Sequence, residues 1–373
     1  MATTYEIVRF KTLDGVHICG RLYAAAQRGP AVILTPGVSD LFYSKEHVNG
    51  KRLTRTHQYN CTKDNFPPGV PEEFQRAGIT AFVYDPRSTG KSGGFPRNDI
   101  DPFKQTEDYS DAFTYLSTLP VVDAKAVVFW GISMSAGIAL SAAAVDRRIA
   151  AVIAIAPIFK FVPVTAADAQ RLKTKLMKDR ESQTLHGNPP YMLPIGESLA
   201  QMPFNSHVNV NQDKEEEERK AEEEEERRQQ AEVESGHDFD PTLTHNPNGT
   251  TIQSYHRMFL FEPVPKAMVQ AVAPTPVMFL TPELDTISPP EQQKEVFNSL
   301  KGPKRLHVAP GKDHIYVLHG PTMPMLMKWQ IDFVWQVVRG HLTGAVNGVA
   351  STRAIQPNGL HAAPKQESNI AYA

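Results

Sequence analysis

One stretch constrains the fold of this chain more than any other. Ala126 to Trp130 is a short apolar run, Gly131-Ile132-Ser133-Met134-Ser135 follows it, and small residues continue to Leu140. The pattern reads as a strand, an abrupt turn and a helix. It matches a nucleophile elbow, G-x-S-x-G, with Ser135 in place of the last glycine. A serine on such a turn projects its hydroxyl out of the sheet, usually from a strained backbone conformation. The residues two before and two after it must be small for the turn to close, and Gly131 and Ser135 are. The helix behind Ser133 would also aim free N–H groups at any negative charge formed there. The same string could simply begin a buried helix, so the rest of the chain has to decide between the two.

The alternation around that stretch sets the fold class. Tyr5 to Phe10 and Val16 to Leu22 read as strands around the hairpin signal Asp14-Gly15. Ala31 to Leu34, Thr80 to Tyr84, Ala150 to Ile155, Pro276 to Leu280 and Lys304 to Val308 read as further strands. Helical segments are expected at Glu72 to Ala77, Asp108 to Leu119, Pro290 to Leu300 and Thr322 to Arg339. Strands alternating with helices at this spacing imply an α/β protein with a mostly parallel sheet and helices on both faces. With 373 residues, 41% of them hydrophobic, the chain can build one large core and still carry an insertion.

Three regions depart from the alternation. Residues 41–70, polar and basic in the middle, are expected to be an inserted loop. Residues 159–263 break the pattern and are expected to form a cap or lid. Within them, 213–234 carry twelve acidic residues against five basic ones. Glu215/Arg219, Glu216/Lys220, Glu223/Arg227 and Glu224/Arg228 pair at i,i+4 with the acid first, as in a solvated helix, and a disordered spacer is the other reading. The segment 342–373 is expected to be a disordered tail. The core would then be 1–158 together with 264–341.

Several function classes fall away. A net charge of −2 argues against nucleic-acid binding. Cys19 and Cys61 form no CxxC and no disulfide framework. No signal sequence opens the chain and no apolar run is long enough for a bilayer, so no membrane contact is expected and the expected location is cytoplasmic. Gly90-Lys91-Ser92 mimics the end of a phosphate-binding loop, but Asp85 stands where the first glycine belongs. No metal-ligand spacing occurs, and no flavin or nicotinamide fingerprint is present, so no cofactor is expected.

The remaining chemistry is acyl transfer. The α/β-hydrolase fold places its triad in the chain order serine, acid, histidine. Asp285 follows the penultimate strand, and His314 follows the last strand, ahead of the final helix. Ser133 would be the nucleophile, His314 the general base and then acid, and Asp285 the group that orients the imidazole. His307 and His319 compete with His314, and Glu283 and Asp313 compete with Asp285. The oxyanion hole would combine the backbone N–H groups of Met134 and Val38.

Arg28 to Gly37, Ala77 to Gly90, Pro96 to Pro102, Lys178 to Gln183, Gly187 to Pro190, Thr250 to Tyr255 and Pro303 to Pro310 together resemble the fungal polyketide transferase/hydrolase family of α/β-hydrolases. The resemblance spans most of residues 5–340. It implies a serine triad at Ser133, Asp285 and His314 and a polyketide-derived acyl ester, thioester or lactone as the substrate, with transient contact to a synthase carrier domain. Ala136 stands where the family's G-x-S-x-S-G form has glycine, Val38 stands where an aromatic is usual, and the insertion has no expected counterpart. A general ester or lactone hydrolase and a non-hydrolytic binding or cyclising helper are the alternative readings.

Overall fold

Continuous apolar runs become strands buried on both faces. In β3 (Gly29–Thr35), Ala31 and Ile33 enter one core cluster while Val32 and Leu34 enter the other. In β7 (Val122–Ile132) the same alternation sends Val127 and Phe129 one way and Val128 and Trp130 the other. Each strand therefore divides its side chains between two hydrophobic layers, and a helix layer has to cover each. The computed structural model describes residues 4–37, 47–48, 51–52, 61–64, 66–159, 166–194, 249–342 and 346–347.

Among the described residues the main sheet has nine strands. β1 (Glu6–Lys11) and β2 (His17–Tyr23) form the antiparallel edge expected from Asp14-Gly15, and β2 also runs antiparallel to β6 (Thr80–Tyr84). From β6 onward every pairing is parallel, through β3, β7, β8 (Ala151–Ile155), β11 (Val277–Pro282) and β12 (Lys304–Ala309) to β13 (Val346–Asn347). The small pairs β4 (His47–Val48) with β5 (Lys51–Arg52), and β9 (Met192–Pro194) with β10 (Gly249–Thr251), lie outside it.

On one face, α2 (Pro102–Leu116), α3 (Met134–Val145) and the short α6 (Pro263–Met268) cover the sheet. On the other face lie α1 (Val70–Arg76) and α8 (Met323–Val338). Every residue of α3 from Met134 to Ala144 is buried, because its small side chains let the helix lie close on the strands. The indole of Trp130, fully buried, donates Nε1–H to Oε1 of Gln330 in α8 at 2.7 Å. The buried polar tip is thereby satisfied across the layer.

At four places the structure adds to these expectations. The helix expected from Asp108 begins at Pro102, where the Asp101 carboxylate accepts from the N–H groups of Phe103 and Lys104. Asp101-Pro102 is a cap followed by proline at the first helical position, a stronger start signal than the apolar spacing used to place it. The end of the expected inserted loop belongs to the core: Cys61, Thr62, Lys63 and Phe66 are buried, and Phe66 packs on Trp130 with ring centroids 5.3 Å apart. The broken stretch 159–263 contains α4 (Ala166–His186) and α5 (Ile252–Phe261), whose apolar residues Leu172, Leu176, Tyr255 and Met258 join the core cluster beside α2. The tail expected to be disordered from 342 contributes β13. The charged run 213–234 lies outside the described residues. Among the described residues no helix is long and apolar enough to cross a membrane.

Candidate active site

β7 leads straight into Ser133, and α3 begins at the next residue. Between them the backbone folds back on itself. A Cβ at position 131 would lie 2.3 Å from the carbonyl oxygen of Ser135, so only glycine fits there. Ser133 adopts φ 62° and ψ −124°, a conformation that costs a side-chain-bearing residue about 1–3 kcal/mol. Neighbouring backbone holds it there. The Ser133 N–H donates to Ile155 O at 2.9 Å, and Ile158 N–H donates to Ser133 O at 3.1 Å. The strain is thus imposed by the end of β8 as well as by the elbow itself.

The loops after β11 and β12 bring two more side chains to this point. His314 Nε2 lies 2.9 Å from Ser133 Oγ, and His314 Nδ1 lies 2.8 Å from Asp285 Oδ2. With Nδ1–H donating to the carboxylate, Nε2 is left to accept from the serine hydroxyl. All three residues are buried. Asp285 is held from all sides: Oδ1 accepts from the N–H groups of Ile287 and Ser288 at 3.0 and 2.8 Å, and Oδ2 also accepts from Gln293 Nε2 at 3.0 Å. Ser288 Oγ donates to Pro157 O, which ties the acid loop to the end of β8.

The competing residues occupy other places. His307 stacks on Trp329 with centroids 4.6 Å apart, and burial lowers its pKa. His319 packs edge-on to Tyr316, and burial lowers its pKa as well. Glu283 accepts from the N–H of Gly311, and Asp313 accepts from the N–H groups of Ile315 and Tyr316. Each rival acid therefore braces a loop that carries Asp285 or His314. Gln293 was not anticipated from the sequence. It sits in α7 (Pro290–Ser299), and a glutamine one helical turn inside a loop-proximal helix leaves no pattern that would single it out.

Of the two expected oxyanion donors, Met134 opens α3, where its N–H has no intrahelical acceptor. Val38 lies outside the described residues. The backbone that leads to it is described as far as Gly37, which lies directly against the nucleophile: a Cβ there would be 2.9 Å from the Cβ of Ser133. Among the described residues no group of three histidine, cysteine, aspartate or glutamate side chains could hold a metal ion. Cys19 and Cys61 are buried and are not joined in a disulfide.

A serine hydroxyl in line with an imidazole and a fully bonded carboxylate, beside a helix N-terminus, can attack an acyl carbon and relay the proton. Comparison with known proteins agrees with that chemistry. The family model Hydrolase_4, "Serine aminopeptidase, S33", matches residues 65–318. A thiohydrolase from Eupenicillium brefeldianum is 37% identical over 327 residues, which cover 88% of this chain and 92% of the relative. Polyketide transferase ATR5 from Stachybotrys chlorohalonatus is 35% identical over 340 residues, covering 90% of this chain and 98% of the relative. The crystal structure of the α/β hydrolase GrgF from Penicillium sp. sh18 superposes with a TM-score of 0.66 at 31% identity, covering 91% of this chain and 99% of that one.

Proposed function

This chain belongs to the Hydrolase_4 serine aminopeptidase S33 family of α/β-hydrolase enzymes, together with the fungal polyketide transferases and thiohydrolases, and from that premise we propose that it cleaves a polyketide-derived acyl thioester or ester through an acyl-enzyme on Ser133. The observation that carries the reading is the continuous hydrogen-bonded line from Ser133 Oγ through His314 to Asp285.

The steps follow from that line. His314 Nε2 takes the Ser133 proton as Oγ attacks the acyl carbon. The oxygen that becomes negative is held by the Met134 N–H and by a second donor from the loop beginning at Gly37, for which Val38 is the sequence candidate. When the tetrahedral species collapses, the bond to the leaving sulfur or oxygen breaks and His314 returns the proton to it. Water or an acceptor alcohol then gives a proton to His314 and attacks the ester on Ser133; as the bond to Ser133 Oγ breaks, His314 returns that proton to Oγ and the acyl group leaves as acid or new ester. Asp285 keeps the imidazole in the required tautomer throughout.

The choice between water and alcohol depends on how dry the site is kept. We assign that task to residues 159–263 as a cap, with α4 and α5 as its described helices. A polyketide chain carried on a synthase would reach Ser133 through transient contact with the carrier domain. The names of the thiohydrolase and the polyketide transferase relatives support both outcomes of the second step.

Intact-protein mass after incubation with N-acetylcysteamine thioesters of short and medium acyl chains tests this. One added acyl group on the wild type and none on Ser133→Ala is the expected result, and adding alcohols then separates transfer from hydrolysis. A folded wild type that shows neither adduct nor turnover overturns the acyl-enzyme reading in favour of a binding or cyclising role.

A further inference from the structure

The strand that leads to the oxyanion loop is tied to the elbow at consecutive residues. Thr35 Oγ1 bonds the hydroxyl of Tyr109, and that hydroxyl donates to Trp130 O at 2.8 Å. Ser135 Oγ donates to Pro36 O at 2.5 Å. Gly37 then lies against Ile132 and Ser133, where a Cβ would meet Ile132 O at 2.8 Å. Thr35, Tyr109 and Ser135 are all buried.

Ser135 is the informative member. The elbow demands a small residue two positions after the nucleophile, and glycine or alanine would satisfy that demand without a hydroxyl. A serine inside a helix commonly turns its hydroxyl back onto the carbonyl four residues earlier. Ser141, in the same helix, does this, donating to Gly137 O at 2.9 Å. Ser135 does not. Its hydroxyl leaves the helix and spans 99 positions of sequence to reach the carbonyl at the end of β3.

We propose that Ser135 is a positioning residue for the transition state: its hydroxyl ties the elbow to the end of β3 and keeps Pro36-Gly37 against Ser133, so that the nucleophile and the Met134 N–H hold the arrangement the tetrahedral species requires. This rests on the acyl-enzyme reading above. A donor set by preorganised backbone is worth most in the transition state, where the charge develops, and little in the ground state. Loss of the tie therefore lowers kcat and leaves KM in place.

The test compares Ser135→Ala, Ser135→Thr and Ser141→Ala with the wild type and Ser133→Ala. The measurements are kcat and KM on an N-acetylcysteamine thioester and affinity for a trifluoromethyl ketone bearing the same acyl chain. Ser135→Ala should lose about 10- to 100-fold in kcat with KM unchanged, and its affinity for the ketone, whose adduct places an oxyanion in the hole, should fall by a similar factor. Ser135→Thr keeps the hydroxyl and should recover most of the loss, and Ser141→Ala should match the wild type. If Ser135→Ala fails to fold, Ser135→Gly, the residue the elbow pattern usually carries, takes its place. A wild-type kcat in the folded variant, a loss confined to KM, or the same loss in the threonine variant overturns the inference while the nucleophile stands. Turnover that survives Ser133→Ala overturns the acyl-enzyme reading instead.

Discussion

Two glycine-containing turns leave buried strands on the same edge of the sheet, on either side of β3, and they use the same physics in opposite ways. At the end of β7 the chain enters α3 at once, leaving a strained serine and an unbonded helix N-terminus facing whatever occupies the site. At the end of β6 the chain wraps around a carboxylate of its own. Asp85 Oδ1 accepts from Lys63 N–H, and Asp85 Oδ2 accepts from Lys63 Nζ and Lys91 N–H, each at 2.7 Å. Gly90 lies so close that a Cβ there would sit 2.4 Å from Asp85 Oδ2. Arg97 closes the turn by donating to the carbonyls of Ser92 and Gly90. The cation and the N–H groups that a phosphate would need are bound to Asp85 itself. That is why Gly90-Lys91-Ser92 only imitates a nucleotide loop. One turn keeps its donors for a ligand, and the other spends them on stability.

Four predictions test this division. The largest effect is expected at the open turn. Ser133→Ala should lower kcat/KM on an acyl thioester by about 10⁴-fold or more with the melting temperature little changed, measured by steady-state kinetics and thermal denaturation. Retained activity would mean the open turn is not the reacting one. At the closed turn the loss should be of stability instead. Asp85→Asn removes the nearer and buried counter-charge of the Lys63 ammonium, 1% exposed, leaving it only the longer contact to Asp64 at 3.4 Å, and urea denaturation should show a loss of about 3 kcal/mol. Catalysis per folded molecule should stay near the wild type.

The third prediction concerns pH. Arg87, in the closed turn, is bonded to Asp108 of α2. Burial dominates over that arginine and pushes the Asp108 carboxyl up to about 6. A pKa raised on folding means that the native state holds the proton more tightly than the unfolded chain. The resulting stability is complete below the unfolded value, near 4, and is lost as pH rises through 6. Asp108→Asn removes that decline. Between pH 4 and pH 6 the variant's unfolding free energy should therefore change more favourably than the wild type's, by on the order of 2 kcal/mol. Identical pH slopes would show that Arg87 cancels the effect of burial, and a slope difference of opposite sign that it outweighs it. The smallest effect returns to the elbow: Ser133→Gly should abolish turnover yet raise stability by about 1 kcal/mol, because glycine adopts the positive φ without strain. Equal stability would remove strain from the description of the open turn.

Much of the core was legible because its signals are local. Thr80 to Tyr84 is a continuous apolar run and forms β6 with those bounds. The elbow string specified its own turn, and the loops after the last two long strands carry Asp285 and His314 to the same edge. The reading weakened wherever the deciding contact was remote. Residues 61–66 look polar in sequence, yet the Asp85 carboxylate draws Lys63 inside and Trp130 covers Phe66. α4 has a weak apolar face, and its place is given by α5, whose Gln253 bonds Asp179 across the pair. Asp313 stands beside His314 in sequence, but its carboxylate turns back to the N–H groups of Ile315 and Tyr316.

By itself, then, the amino-acid order determined the strand and helix alternation and the glycine-serine elbow, because each depends on residues within a few positions of one another, and it determined the succession of serine, acid and histidine, because that is the order of the chain itself. Only the tertiary structure decided which strands are neighbours, which histidine and carboxylate meet Ser133, and that Asp85, Lys63 and Ser135 complete the two turns. Those outcomes depend on charges and hydroxyls finding partners tens to hundreds of residues away once burial has removed water as the alternative.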